Sequence, residues 1–194
     1  MPEGLKPKAK IIDLSKRMSV FACSISLLYF LGGCASNFTG EPISLKLDGL
    51  GKPRVLMMQT QVIRGKDSYS MDMIVDVSKE RLTVVGSSLG LRVFTLSYDG
   101  TRVAEGFGLG LPFYIPNRLV VDDVKLILTS REILKDSLPA GCSLYIEDNL
   151  EQIYCGDQLV VSVKKIQLTN GNSEIFLNRS VPEYQLKIVM SEVQ

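Results

Sequence analysis

The side chains of this sequence that could do acid–base chemistry are carboxylates, because its 194 residues include no histidine. Ser-His-Asp triads, Cys-His pairs and histidine-containing zinc sites are therefore excluded. Two carboxylate pairs remain as candidates, Asp122-Asp123 and Glu147-Asp148. Adjacent residues of a strand point to opposite faces, so such a pair does not converge on a substrate. We predict instead that Asp122-Asp123 begins a helix and that Glu147-Asp148 lies in a hairpin turn. We expect no catalytic residue, metal site or cofactor, and a carboxylate-only hydrolase is the disfavoured alternative.

Cys142 and Cys155 are spaced for a disulfide bridge. The residues between them read as two short strands on either side of a turn at Asp148-Asn149. Folding this hairpin about the turn places residue 142 opposite residue 155, and cross-strand neighbours are close enough to be bridged when their pair is not hydrogen-bonded. We predict a structural disulfide here. Two reduced, buried cysteines are the alternative.

Cys34 follows an apolar stretch, Met18–Phe30, that is preceded by the basic pair Lys16-Arg17. A stretch of about 13 residues has the length of a signal-peptide core and is shorter than the roughly 20 residues that span a bilayer. Together with the run Leu31-Gly32-Gly33-Cys34, it resembles the lipobox of bacterial lipoproteins. A buried hydrophobic helix with a chance cysteine is the alternative.

The lipobox resemblance implies three segments. Residues 1–33 are a signal peptide, residues 34–44 are a lipidated tether that begins at Cys34, and residues 45–194 are a single folded domain. Ala35 and Ser36 follow the cysteine in place of the aspartate that retains lipoproteins in the inner membrane. The resemblance therefore implies a lipid-anchored protein of the outer membrane that faces the periplasm.

Charge and length limit the classes of partner. The formal net charge is +1, without a long charge run, so the concentrated basic face expected of a nucleic-acid-binding protein is missing and no nucleic acid is expected. Residues 45–194 are enough for one domain with a hydrophobic core.

Period-two alternation predicts strands over most of this domain. Apolar residues at 69, 71, 73, 75 and 77 alternate with mostly polar ones, and Asp99-Gly100 is a hairpin signal. Strands are predicted at 54–64, 69–77, 81–85, 91–98, 101–104, 142–147, 151–155, 159–168, 174–178 and 184–190.

The middle of the domain breaks this pattern. Residues 106–116 mix glycine, proline and large apolar side chains, which indicates an irregular segment. Residues 122–134 have helical spacing, as one broken helix or two short ones. Many antiparallel strands with one helical insertion predict a curved sheet with a helix on its concave face, where incomplete coverage leaves room for a hydrophobic ligand.

The order of several motifs along the chain is similar to that in known protein families. The segment Gly90–Gly100 is similar to a strand-hairpin segment of outer-membrane lipoprotein carriers and receptors of the LolA/LolB type. The chain resembles DUF3261, a family of bacterial lipoproteins of unknown function, in the order of five features. These are the lipobox, the Tyr-Asp-Gly hairpin, the Leu138–Gly141 segment, Asn178 and the strand Tyr184–Ile188.

This resemblance implies a mainly β fold of the α+β class, an unclosed antiparallel β-barrel with a short helical lid over an apolar cavity. It further implies that the protein transports or places an acylated ligand (lipid, lipoprotein or polyene lipid) in the envelope and is not an enzyme. The alternative is a structural lipoprotein that scaffolds an envelope transport or biosynthesis complex through protein partners.

Two sets of apolar residues are the candidate contacts. Ligand or membrane contacts are predicted at Phe107, Leu109, Leu111, Phe113, Tyr114 and Ile115, with plugging of the protein's own core as the alternative. Cavity-lining residues are predicted at Met57, Met71, Met73, Phe94 and Leu96, with ordinary core packing as the alternative. Arg92, Arg102 and Arg118 are candidates for a polar rim.

Overall fold

The computed structural model describes residues 45–106, 108–110 and 115–193. The predicted signal peptide, Cys34 and the tether lie outside the described residues. So do four predicted contact residues, Phe107, Leu111, Phe113 and Tyr114.

The described residues form a sheet of ten antiparallel strands, a 3-10 turn at Leu47–Leu50 and two helices. The strands are β1 (Arg54–Arg64), β2 (Asp67–Val77), β3 (Leu82–Ser88), β4 (Leu91–Tyr98), β5 (Val103–Gly106), β6 (Cys142–Glu147), β7 (Leu150–Cys155), β8 (Gln158–Gln167), β9 (Ser173–Ser180) and β10 (Glu183–Glu192). The helices are α1 (Asn117–Leu128) and α2 (Arg131–Asp136).

The strand order explains where the helices lie. It reads β5-β4-β3-β2-β1-β10-β9-β8-β7-β6, so the chain starts in the middle of the sheet, runs outward to β5, and returns inward from β6 to β10. The helical segment is the connection between the two edge strands. Because β5 and β6 do not pair with each other, the sheet is unclosed, and the predicted mainly β fold with short helices is confirmed.

Contacts of α1 show that the sheet curves around this helix. Lys125 Nζ lies 4.5 Å from the ring centroid of Tyr98 on β4. The carbonyl of the next residue, Leu126, accepts a hydrogen bond of 3.5 Å from Lys165 Nζ on β8. On a flat sheet these two strands would be about 29 Å apart, out of reach of adjacent helical residues. The concave face therefore encloses α1.

Alternation along the central strands supplies the core. On β1 the buried residues are Leu56, Met58, Thr60 and Val62, and β2 buries every second residue from Met71 to Val77. These side chains face α1, which buries seven consecutive residues, Val121–Ile127. The core is thus one layer between the concave face and the helix.

The helix begins five residues before the predicted start. α1 follows Pro116, whose fixed backbone suits the first turn of a helix. Asp122 and Asp123 therefore lie in the middle of α1 and are buried, and the prediction that they begin the helix was wrong. The helix ends where Thr129 Oγ1 donates to the Lys125 carbonyl at 2.7 Å, and α2 starts from the Ser130 cap. The alternative of two short helices is correct.

The β6–β7 hairpin has the predicted register. Leu144 lies opposite Ile153 and Ile146 opposite Glu151, with the turn at Asp148-Asn149. Cys142 and Cys155 are paired and form the predicted disulfide, which is confirmed.

Asp99 organises the turn between β4 and β5 and carries a pH prediction. Its Oδ1 accepts from the backbone N–H groups of Thr101 and Arg102, both at 2.8 Å, and from Thr101 Oγ1 at 2.9 Å. These donors lower the pKa of Asp99 from 3.8 to about 2, and the backbone N–H of Arg102 has the largest effect. Because the folded pKa lies below the unfolded one, the carboxylate stabilises the fold above about pH 3.8, and this contribution disappears as the pH falls towards 2.

We expect a carboxyl NMR titration of Asp99 to have its midpoint near pH 2. A Thr101→Val variant, which removes one of the three donors, raises that midpoint. A wild-type midpoint near 3.8 contradicts the structure of this turn.

Candidate functional site

A cavity lies between α1 and the concave face of the sheet. Its volume is about 30 Å³, room for about two water molecules and far less than an acyl chain needs. Its walls come from four strands, one helix and Ile115: Thr60, Val62, Met71, Met73, Phe94, Ile115, Val120, Asp123, Val124, Ile127, Tyr184, Leu186 and Ile188. We call this space the α1 cavity.

One polar network stands on the wall of the α1 cavity. Asp123 of α1 accepts from Arg179 of β9, with Nε at 3.0 Å and Nη2 also bonded to Oδ1, while its Oδ2 accepts from the Tyr184 hydroxyl of β10. All three side chains are buried. We call them the Asp123 network, and it ties the middle of α1 to the sheet.

The carboxylate of Asp123 and the guanidinium of Arg179 each stabilise the charged form of the other. Burial raises the pKa of Asp123, whereas the guanidinium and the Tyr184 hydroxyl act to lower it. Burial acts to lower the pKa of Arg179, but the facing carboxylate outweighs it and the pKa is raised. Burial and the same carboxylate raise the pKa of Tyr184, which stays protonated and donates. Because arginine keeps its charge in proteins, a neutral Asp123 would leave that charge unpaired, so we treat the pair as ionised at neutral pH.

Two lysines, Lys125 and Lys165, make further polar contacts that hold α1 against the sheet. Asp122 Oδ1 lies 2.7 Å from Lys125 Nζ, and this ammonium sits over the Tyr98 ring. At the C-terminal end, Lys165 Nζ reaches the carbonyls of Leu126 and Thr129 and lies 3.4 Å from Glu151 Oε2. A cation beside helix C-terminal carbonyls is favourable. The helix is therefore attached to both halves of the curved sheet.

Two glycines permit close contacts with β4, one with the Phe94 ring and one with the strand backbone. Gly86 lies in β3 opposite Phe94, and a Cβ there would come within 2.5 Å of the ring. The strand predicted at 81–85 extends to Ser88 in the structure, so Gly86 lies inside β3 and the turn is at Leu89-Gly90. Gly108 lies against the backbone of β4, where a Cβ would be 2.3 Å from the Val93 carbonyl oxygen.

Residues 108–110 continue along β4 rather than forming a free loop. The N–H of Leu109 donates to the Arg92 carbonyl at 3.3 Å, and that of Gly110 to the Val93 carbonyl at 2.8 Å. These three residues belong to no helix or strand, as the prediction of an irregular segment expects, and Gly108 permits their close approach to β4. The Leu109 side chain is 69% exposed.

The structure brings together four of the predicted contact and lining residues. Met71, Met73, Phe94 and Ile115 all lie on the wall of the α1 cavity. Ile115 is buried there, which corresponds to the core-plugging alternative for this residue.

Other predicted residues lie elsewhere. Met57 is 50% exposed on the opposite face of β1, because Met58 takes the inward position, so its assignment to the cavity was wrong. Leu96 is fully buried but lies about 7 Å further along β4 than Phe94 and is not on the cavity wall. The rim candidates Arg92, Arg102 and Arg118 are exposed, and none lines the cavity.

Sequence reasoning missed Arg179 and Tyr184. Arg179 continues the inward row of Ile175 and Leu177 on β9, at a spacing of two. A charged residue in such a row requires a buried counter-charge, and this signal was available before the structure. The identity of its partner, 56 residues earlier in the chain, was not.

Among the described residues, no group of three or more histidine, cysteine, aspartate or glutamate side chains is placed to hold a metal ion. None of the helices in the described part of the chain is long and apolar enough to cross a membrane.

The protein is thus an unclosed antiparallel sheet that wraps around a short helix, with a small apolar cavity between the two. The model of the family described as "Protein of unknown function (DUF3261)" matches residues 56–192, and the chain belongs to this family. The membership predicted from the order of motifs is thus confirmed.

Comparison with other proteins adds little to the family assignment. No curated protein matches this sequence. Among solved structures, a DUF1329 family protein from Desulfovibrio piger ATCC 29098 is similar over 75% of this chain and 87% of its own, with 10% identity and a TM-score of 0.35.

Proposed function

We propose that this protein is a non-enzymatic lipoprotein of the outer membrane that binds an acylated ligand between α1 and the concave face of its sheet. The observation that carries the proposal is the α1 cavity, whose walls are apolar apart from Thr60, Asp123 and Tyr184. Apolar burial stabilises a bound chain by roughly 25 cal/mol per Å².

The cavity is too small in this structure to hold an acyl chain, so binding requires its walls to move. Its volume of about 30 Å³ does not admit a chain. Met71 and Met73 are flexible side chains that adapt to different contents. The roof is a single helix of 12 residues, so ligand entry requires either that apolar side chains beneath α1 give way or that α1 exchanges its central attachment for contacts with the ligand. A ligand shifts a protein towards a conformation with a wider pocket when it binds that conformation more tightly.

The absence of histidine and the pairing of the buried acids support a non-enzymatic role. Asp122, Asp123 and Glu151 each lie beside a cation, at 2.7 Å in the case of Asp122 and Lys125. Carboxylates that are engaged in structural ion pairs are poor candidates for general acid–base catalysis.

The lipobox at Cys34 supports a lipid anchor, and the Cys142–Cys155 disulfide supports an oxidising compartment such as the periplasm. We expect radiolabelled palmitate to be incorporated into the wild-type protein in a bacterial host and not into a Cys34→Ser variant. Equal labelling of both would remove the anchor from the proposal.

Three exposed leucines support contact with the membrane at one end of the sheet. Leu89, at the tip of the β3–β4 hairpin, is 99% exposed, and Leu91 is 59% exposed. Leu109 is the third exposed leucine, and its backbone N–H donates to the carbonyl of Arg92, the residue after Leu91. A ligand drawn from a membrane would enter near this leucine tip.

The ligand proposal is tested with the full chain carrying Cys34→Ser and with methyl dodecanoate as the probe, by isothermal titration calorimetry. Replacing the wall residue Val124 with phenylalanine fills the cavity, and we expect it to weaken binding by about tenfold or more. Leu119→Phe, on the same helix but off the cavity wall, is the matched control and leaves the affinity unchanged. Absence of measurable binding to the unsubstituted chain, or equal loss in both variants, contradicts the proposal.

An exposed apolar patch favours the scaffold as a second candidate. Val55, Met57, Ile74 and Val193 are 38–50% exposed on the convex face, and Met57 lies directly opposite Ile74 in the sheet. Met57→Asp and Ile74→Asp are expected to abolish co-purification of an envelope protein while leaving dodecanoate binding intact if this face docks a partner.

A further inference from the structure

The buried row of β1, residues 56 to 62, contains one polar residue, Thr60. Its neighbours in that row, Leu56, Met58 and Val62, are apolar and buried. Thr60 is 4% exposed, lies on the wall of the α1 cavity, and its hydroxyl has no hydrogen-bond partner among the described residues. A buried hydroxyl without a partner is costly, and valine has the same shape without this cost.

The position of Thr60 separates it from the other polar groups of the cavity. Thr60 pairs with Ile188 of β10, whereas Tyr184 lies four residues further along the same strand, a distance of about 13 Å. The Asp123 network is thus near one end of the wall and the free hydroxyl near the other. A chain that fills the cavity passes between them.

We infer that the α1 cavity selects an acyl chain that carries a hydroxyl group, which forms a hydrogen bond with Thr60 Oγ1. The inference rests on the proposed function and specifies the chemical class of its ligand. A neutral group fits this place because Asp123 and Arg179 already neutralise each other. A carboxylate or ammonium beside Thr60 would be buried without a counter-charge.

The hydroxyl of the ligand and that of Thr60 satisfy each other. A threonine hydroxyl is both a donor and an acceptor, so either partner can supply the proton. Sites that hydrogen-bond a ligand hydroxyl discriminate against the analogue that lacks it, since the buried protein group is then left unpaired. We expect about a tenfold preference, the size of one net hydrogen bond.

The test compares three probes on the full chain carrying Cys34→Ser: methyl dodecanoate, its β-hydroxy derivative and its ω-hydroxy derivative. We expect this chain, with Thr60 unchanged, to bind one of the hydroxylated esters about tenfold more tightly than the plain ester. Thr60→Val should bind all three equally, and Thr60→Ser should restore the preference. Thr95→Val is the matched control, because Thr95 Oγ1 is the other buried hydroxyl without a partner among the described residues and lies off the cavity wall.

The outcomes separate the two proposals. Binding of the plain ester without any preference for a hydroxylated one overturns this inference and leaves the proposed function standing. A preference that survives Thr60→Val, or disappears in Thr95→Val, also overturns it. If none of the three esters binds, the proposed function fails and this inference fails with it.

Discussion

An Arg179→Met protein is expected to lose about 3–5 kcal/mol of its free energy of unfolding, because the change leaves the Asp123 carboxylate buried without a counter-charge. Arg179 and Asp123 are 7% and 2% exposed, so water cannot take over the role of the guanidinium. Equilibrium denaturation in urea measures the loss. It should appear as a lower midpoint, with an unchanged slope if the folded state keeps its compactness.

The double variant Asp123→Leu/Arg179→Met tests the cause of this loss. Replacing both members of a buried ion pair with apolar residues is often neutral or stabilising, so most of the stability should return. Lys187→Met is the matched control. Lys187 forms an ion pair with Glu174, with 3.2 Å between Nζ and Oε1, but the two side chains are 48% and 25% exposed, and we expect loss of this pair to cost less than about 1 kcal/mol. Equal effects of Arg179→Met and Lys187→Met would contradict the structural role of the Asp123 network.

Ile127→Ala is expected to change stability and ligand affinity in opposite directions. Ile127 is 4% exposed and lies on the wall of the α1 cavity. Its truncation removes buried methylene groups and leaves a larger hole, which lowers the free energy of unfolding by about 2–5 kcal/mol. The same hole gives an acyl chain more room, so methyl dodecanoate should bind more tightly to the variant.

Leu126→Ala is the matched control for this prediction. Leu126 is the preceding residue of α1 and is fully buried, but it does not line the cavity. It should cost a similar free energy of unfolding without a gain in affinity, as measured by urea denaturation and titration calorimetry. A gain in both variants would mean that loosening of the helix, and not cavity volume, controls binding.

These two predictions concern the same element. The Asp123 network holds α1 in the middle, and the Lys125–Tyr98 and Lys165 contacts hold its sides. A ligand can enter beneath α1 by two routes. It can displace apolar side chains while the Asp123 network stays intact, or it can break that network and replace the network's contacts with contacts to the ligand. The Ile127 and Arg179 variants separate these routes, because only the Arg179 variant changes the Asp123 network.

Local features of the fold were predictable from the sequence. The strand at 54–64, the strand at 91–98 and the register of the Cys142–Cys155 hairpin agree with the structure. In each case the information lies within about a dozen residues, as period-two alternation or as a turn with its two flanking strands.

The assignment of faces was less secure where both rows of a strand are apolar. On β1, Val55 and Met57 alternate with Leu56 and Met58, so periodicity alone does not show which row faces the core. Burial of Met58 and exposure of Met57 depend on which face α1 covers. That choice is made by the connection between the two edges of the sheet.

Short-range patterns and their order were enough to predict the strands, the hairpins, the disulfide and the family. The side chains that meet beneath α1 could be identified only from the folded chain. Asp123 finds Arg179 and Tyr184 across 56 and 61 residues, and β1 pairs with β10 across almost the whole domain. Such contacts depend on the curvature of the complete sheet, which brings residues together that no local pattern relates.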